Sequence, residues 1–87
     1  MSERQTQIRK TWPESARERT RAITDHHGED FWCPDGKLHM KNVAGPYGYI
    51  DLTDLYNGVL KVVDKDTKQT SLFNNTEELL GAGWVID

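Results

Sequence analysis

The sequence predicts an α+β domain: an N-terminal helix, then a small, mostly antiparallel β-sheet of about four or five strands, with a C-terminal helix packed on one face. Three observations predict it. A helix-start signature occupies Thr11-Trp12-Pro13-Glu14. Turn residues punctuate short runs of alternating or β-branched residues further on. The last third, Asn57 to Asp87, reads strand, turn, strand, capped helix, strand, a β-β-α-β unit whose local signals all agree.

With 87 residues the chain makes one domain. Residues 1–10 are polar apart from Met1 and Ile8, and are expected to form a flexible N-terminus ahead of a single domain over 11–87. In Thr11-Trp12-Pro13-Glu14, Thr11 can cap, Glu14 completes a capping box, and Pro13 suits a first turn that needs no N–H from it. The helix should run to about Asp25, with Gly28 beyond its end. Trp12, Ala16 and Ile23, with Thr20 between, form a narrow stripe, so the helix docks rather than builds a core. Such a helix could equally pack on a second copy of the chain.

Phe31-Trp32-Cys33, the turn Pro34-Asp35-Gly36 and Lys37 to Lys41 read as a hairpin. Alternation places Leu38 and Met40 on one face of its second strand, His39 and Lys41 on the other. Ala44 to Gly48 reads as a Gly/Pro loop that carries Tyr47, with Tyr49 following. Two readings are open for Ile50 to Tyr56. Either Asp51 caps a short helix ended by Asn57-Gly58, or Asn57-Gly58 is a two-residue hairpin turn after a strand. The spacing of Leu52 and Leu55 favours the helix. Val59 to Val63 is a β-branched strand, Asp64 to Thr67 a turn, and Gln69 to Phe73 the returning strand. Asn75 caps the next helix with Glu78 three residues on; Leu79, Leu80 and Ala82 should face the sheet, and Trp84-Val85-Ile86 forms the last strand.

Net charge is −3, unevenly placed. All five arginines lie within residues 1–27, and the rest of the chain is acidic. An acidic body repels phosphate, and cations interleaved with acids on a helix read first as a solvated face. A nucleic-acid role for Arg9, Lys10, Arg17 and Arg21 is the alternative. One cysteine, Cys33, excludes an intrachain disulfide. No apolar run approaches a membrane span, and Met1-Ser2-Glu3-Arg4 opens no signal peptide, so the expected location is cytoplasmic, without membrane contact. A core this small is marginal unless something supplements it, and oligomerisation or a metal are the open routes; a homodimer is the expectation.

His26, His27, Cys33 and His39 are all zinc-capable, but no short-spaced ligand pair joins them, so neither a metal nor any other cofactor is expected. Cys33 with His39 or His26 could be written as a nucleophile and base. Beside Phe31 and Trp32, however, the thiol reads as a small packed hydrophobe. Asp64-Lys65-Asp66 lacks the glycine and closing glutamate of a calcium loop. No phosphate loop or nucleophile elbow is present, no catalytic residue is assigned, and a non-enzymatic role is expected.

What remains is aromatic surface. Trp32 and Trp84 are core candidates, while Trp32, His39, Tyr47 and Tyr49 form the expected protein-contact set. The function this favours is a small interaction or regulatory module acting through another protein. The alternatives are a nucleic-acid accessory protein and a small-molecule binder with a cleft at a dimer interface.

Overall fold

A computed structural model describes residues 11–87. The flexible N-terminus expected over 1–10, with Arg9 and Lys10, lies outside the described residues. The architecture is α+β. Helix α1 (Glu14–Thr24) precedes strands β1 (Lys37–Asn42) and β2 (Tyr47–Asp51), the one-turn helix α2 (Leu52–Tyr56), strands β3 (Leu60–Asp64) and β4 (Thr70–Phe73), helix α3 (Thr76–Gly81) and strand β5 (Trp84–Ile86). The five strands form one sheet in the order β4-β3-β2-β1-β5, antiparallel throughout. Among the described residues no helix is long and apolar enough to cross a membrane.

Helix α1 starts later than Thr11 suggests. Pro13, extended at ψ 155°, is the N-cap, and its carbonyl accepts from Ala16 and Arg17; no side chain caps this end. Trp12 is held elsewhere, its indole Nε1–H donating to the Gly83 carbonyl at 2.8 Å. The face that α1 buries is built on threonines. Thr20 Oγ1 donates to the Ala16 carbonyl and accepts from the Ile86 N–H, which ties the helix to β5. Thr24 Oγ1 donates to the Thr20 carbonyl and lies 2.8 Å from Thr76 Oγ1, which ties it to α3. Each hydroxyl is satisfied, so a polar seam can be buried without an unpaired atom.

After Thr24 the chain makes no strand until Lys37. His27 and Gly28 both take positive φ, and Gly28 sits so close to Leu55 that a Cβ there would lie 2.7 Å from Leu55 Cδ2. The hairpin expected over Phe31–Lys41 is corrected here. Its turn exists, closed by Gly36 N–H to the Cys33 carbonyl with Gly36 at φ +72°, but no strand precedes it. Phe31 is instead drawn into a preceding turn by its N–H bond to Gly28, and β1 pairs with β2. Tyr47 and Tyr49 therefore belong to a strand, not to a loop.

The helical reading of Leu52–Tyr56 holds: α2 ends at Asn57, followed by Gly58 at φ +77°, although Asp51 makes no side-chain cap. The turn at Asp64 is an aspartate turn, with Oδ1 accepting from the N–H groups of Asp66 and Thr67. Asn75 caps α3 by accepting from the Glu78 N–H at 2.9 Å, and Glu78 reaches back to the Asn74 N–H. Leu79 and Leu80 are buried and Ala82 is exposed.

Strand β5 does not close onto β3 or β4. It pairs with β1, at the opposite edge of the sheet, so the C-terminal β-β-α-β stretch embraces β1 and β2 instead of standing as a unit. One face of the sheet carries Leu38, Met40, Ile50, Val62 and Ile86, and there Leu52, Leu55 and Leu79 of the helices pack, with Ile23 and Phe31 alongside. Trp84 joins this core, whereas Trp32 does not: it is 74% exposed.

Candidate functional site

Because the helices share one face, strand alternation delivers a different set of residues to the other. On β1 these are Lys37, His39 and Lys41; on β2, Tyr47 and Tyr49. The antiparallel register sets His39 opposite Tyr49 and Lys41 opposite Tyr47, close enough for cross-strand side-chain contact. Tyr47 is 52% exposed, and Leu72 of β4, opposite Lys61 of β3, is 70% exposed. Two lysines rest on aromatic rings: Lys37 Nζ lies 5.1 Å from the Tyr49 centroid, and Lys41 Nζ lies 4.9 Å from the Trp12 centroid. Among the described residues neither lysine is in an ion pair. Three of the four expected contact residues, His39, Tyr47 and Tyr49, thus share one surface. Trp32 stands on the turn segment before β1 rather than on the sheet.

His39 also belongs to a second arrangement, which the sequence did not reveal. The Cys33–Gly36 turn folds Asp35 back along the start of β1. There one carboxylate oxygen accepts from the Lys37 N–H at 3.1 Å, and the other lies 2.6 Å from His39 Nε2. Cys33 completes a trio whose thiol, carboxylate and imidazole ligand atoms all lie within 4.8 Å of one another. The hydrogen bond with His39, helped by that with Cys33, lowers the Asp35 carboxyl to about 2. The same carboxylate, hydrogen-bonded to the Cys33 thiol, pushes that thiol above its ordinary value. A neighbouring carboxylate disfavours the thiolate, the opposite of the electropositive setting that activates a cysteine. Nδ1 of His39 is buried and has no hydrogen-bond partner among the described residues.

Beside the trio lies a cavity of about 450 Å³. β5 pairs with only Met40–Asn42 of β1, and the cavity adjoins the remainder of that strand; Ile23, Phe31, Leu38 and Ile86 supply apolar walls, and Cys33 and His39 line it together with the charged Arg19, Lys37 and Asp87. The histidines that the sequence grouped together are separated: His26 and His27 are exposed on the turn after α1 and take no part in the trio. The signal that could have found Asp35 was the Pro34-Asp35-Gly36 turn itself. A tight turn ahead of a strand brings its aspartate beside the outward residue of that strand.

The arginines of α1 do not make a free basic stripe. Arg21 is held by Glu14 and Glu18 on its own helix, at 2.9 and 2.7 Å, and by Glu77 of α3 at 2.9 Å. These carboxylates raise its already high pKa, and the Arg21 side chain is committed to joining α1 and α3. Arg17 is half-buried beside Trp12 and the α3–β5 turn, and its Nε has no partner among the described residues. Compared with known protein families, with curated proteins and with solved structures, the chain matches none.

Proposed function

We propose that this chain is a small interaction module that binds another protein through the outer face of its sheet, and that the partner surface is acidic. The observation that carries the reading is the pair Lys37 and Lys41, each laid over an aromatic ring and outside any ion pair among the described residues, beside exposed Tyr47. An ammonium on an aromatic platform keeps its charge available, and tyrosine tolerates a half-wet contact, so the patch suits carboxylates bordered by apolar groups. The exposed Leu72 on β4 adds apolar area on the same sheet. A cytoplasmic setting suits the lone thiol of Cys33. The test is differential capture. Wild-type protein and a Lys41→Glu/Tyr47→Ala variant are offered the same extract, with Arg19→Glu on α1 as control. Proteins retained by the wild type and the control but lost from the double variant support the reading, and equal retention by all three sinks it.

A second reading, small-molecule binding, draws support from the cavity between α1 and β1. The nucleic-acid alternative loses ground because Arg21 is already engaged by three carboxylates.

A further inference from the structure

We propose that Cys33, Asp35 and His39 form a binding site for a divalent transition-metal ion, zinc in particular. The three donors are a thiol, a carboxylate and an imidazole, which are the ligand types zinc takes. Their ligand atoms lie within 4.8 Å of one another. Zinc–ligand bonds of about 2.0–2.3 Å at tetrahedral angles set ligand atoms roughly 3.3–3.8 Å apart, so binding closes the wider separations by up to about 1 Å and opens the 2.6 Å Asp35–His39 pair. The turn has room for it. Gly36 is exposed, with nothing within 4 Å of where its Cβ would be, and two of the three donors stand on that turn while the third stands on the rigid strand β1.

Charge balance points the same way. A thiolate and a carboxylate together neutralise a divalent ion, and the ion replaces the proton on the Cys33 sulfur, releasing it to solvent. The ring nitrogen of His39 that faces Asp35 is Nε2, and an ion bound there takes the place of the present 2.6 Å hydrogen bond. Three protein ligands leave the fourth tetrahedral position for water or a small anion, as open zinc sites do. Cys33 and His39 both border the cavity between α1 and β1, which adjoins the site.

The experiment is a zinc titration of the full chain in competition with a chromophoric chelator, run beside Cys33→Ser, Asp35→Asn, His39→Gln and a His26→Ala/His27→Ala control. The site predicts one equivalent of zinc bound by the wild type and by the control, with affinity lowered at least about tenfold in each of the other three variants. Cobalt added in place of zinc should give a thiolate-to-metal charge-transfer band in the wild type that vanishes in Cys33→Ser. All three residues are partly exposed, so the variants should keep their circular dichroism. If one unfolds, the cobalt spectrum of the wild type still decides. No saturable binding, binding unchanged by Cys33→Ser, or binding lost only in the His26/His27 control would each overturn the proposal.

Discussion

The stretch from Gly58 to Ile86 and the stretch from Asp25 to Gly36 organise themselves in opposite ways. In the first, each local signal becomes the element it announces: a β-branched strand, an aspartate turn, an asparagine-capped helix, a final strand. In the second there is no regular element, only a succession of turns. Yet the second stretch supplies Cys33 and Asp35, and it sets them against His39. Regular elements sort apolar side chains onto one face and so build the core. An irregular segment, pressed onto that core through Gly28 and Phe31, is free to converge polar side chains on one point.

The comparison is tested hardest where the turn segment meets the core. Leu55 is fully buried and touches the site where Gly28 passes. Leu55→Ala should cost about 2–5 kcal/mol in denaturant melts. Trp32→Ala, in the turn segment but exposed, should change stability by no more than about 0.5 kcal/mol. Comparable losses from the two would mean that Trp32 belongs to the core after all.

The next effect in size concerns the polar seam of α1. Thr20→Val keeps the shape but leaves the Ile86 N–H without its acceptor, and should cost about 1–3 kcal/mol, with Thr20→Ser restoring most of it. This contact marks a limit of what the sequence revealed. The α1 stripe of Trp12, Ala16, Thr20 and Ile23 was legible from spacing, but buried hydroxyls bonded to β5 and α3 depend on the topology, which spacing does not encode. The same holds for β5. Its β character was plain from Trp84-Val85-Ile86, whereas its place beside β1 follows from how α3 crosses the core face. Outward placement of His39 and Lys41 was readable by alternation; for Asp35 the Pro34-Asp35-Gly36 turn was the available signal, and its contact with His39 could be read only by joining that turn to the alternation of β1.

Smaller effects should come from the locally determined end. Asn75→Ala removes the α3 cap and should lower stability by about 1 kcal/mol, read from the shift of the melting curve. The smallest belongs to the exposed cluster around Arg21. Its guanidinium holds the carboxyls of Glu14 and Glu77 below their ordinary value near 4.5. Depressed folded-state values mean that the stabilisation is present above that pH and fades as pH falls through the lowered values. Melting temperature should therefore fall on acidification below about pH 4.5 by more in the wild type than in Arg21→Gln. Parallel curves would show that the cluster contributes nothing measurable.

What separates the two faces of the sheet is more consequential than any of these, since one holds the domain together and the other is proposed to do its work. An isotope-labelled sample titrated with a glutamate-rich peptide, followed residue by residue through backbone amide shifts, tests that division most directly. Saturable shifts at Lys37, His39, Lys41, Tyr47 and Tyr49 are predicted, weakened by Lys41→Glu. Shifts confined to Arg17–Arg21 on α1, or none at all, would contradict it.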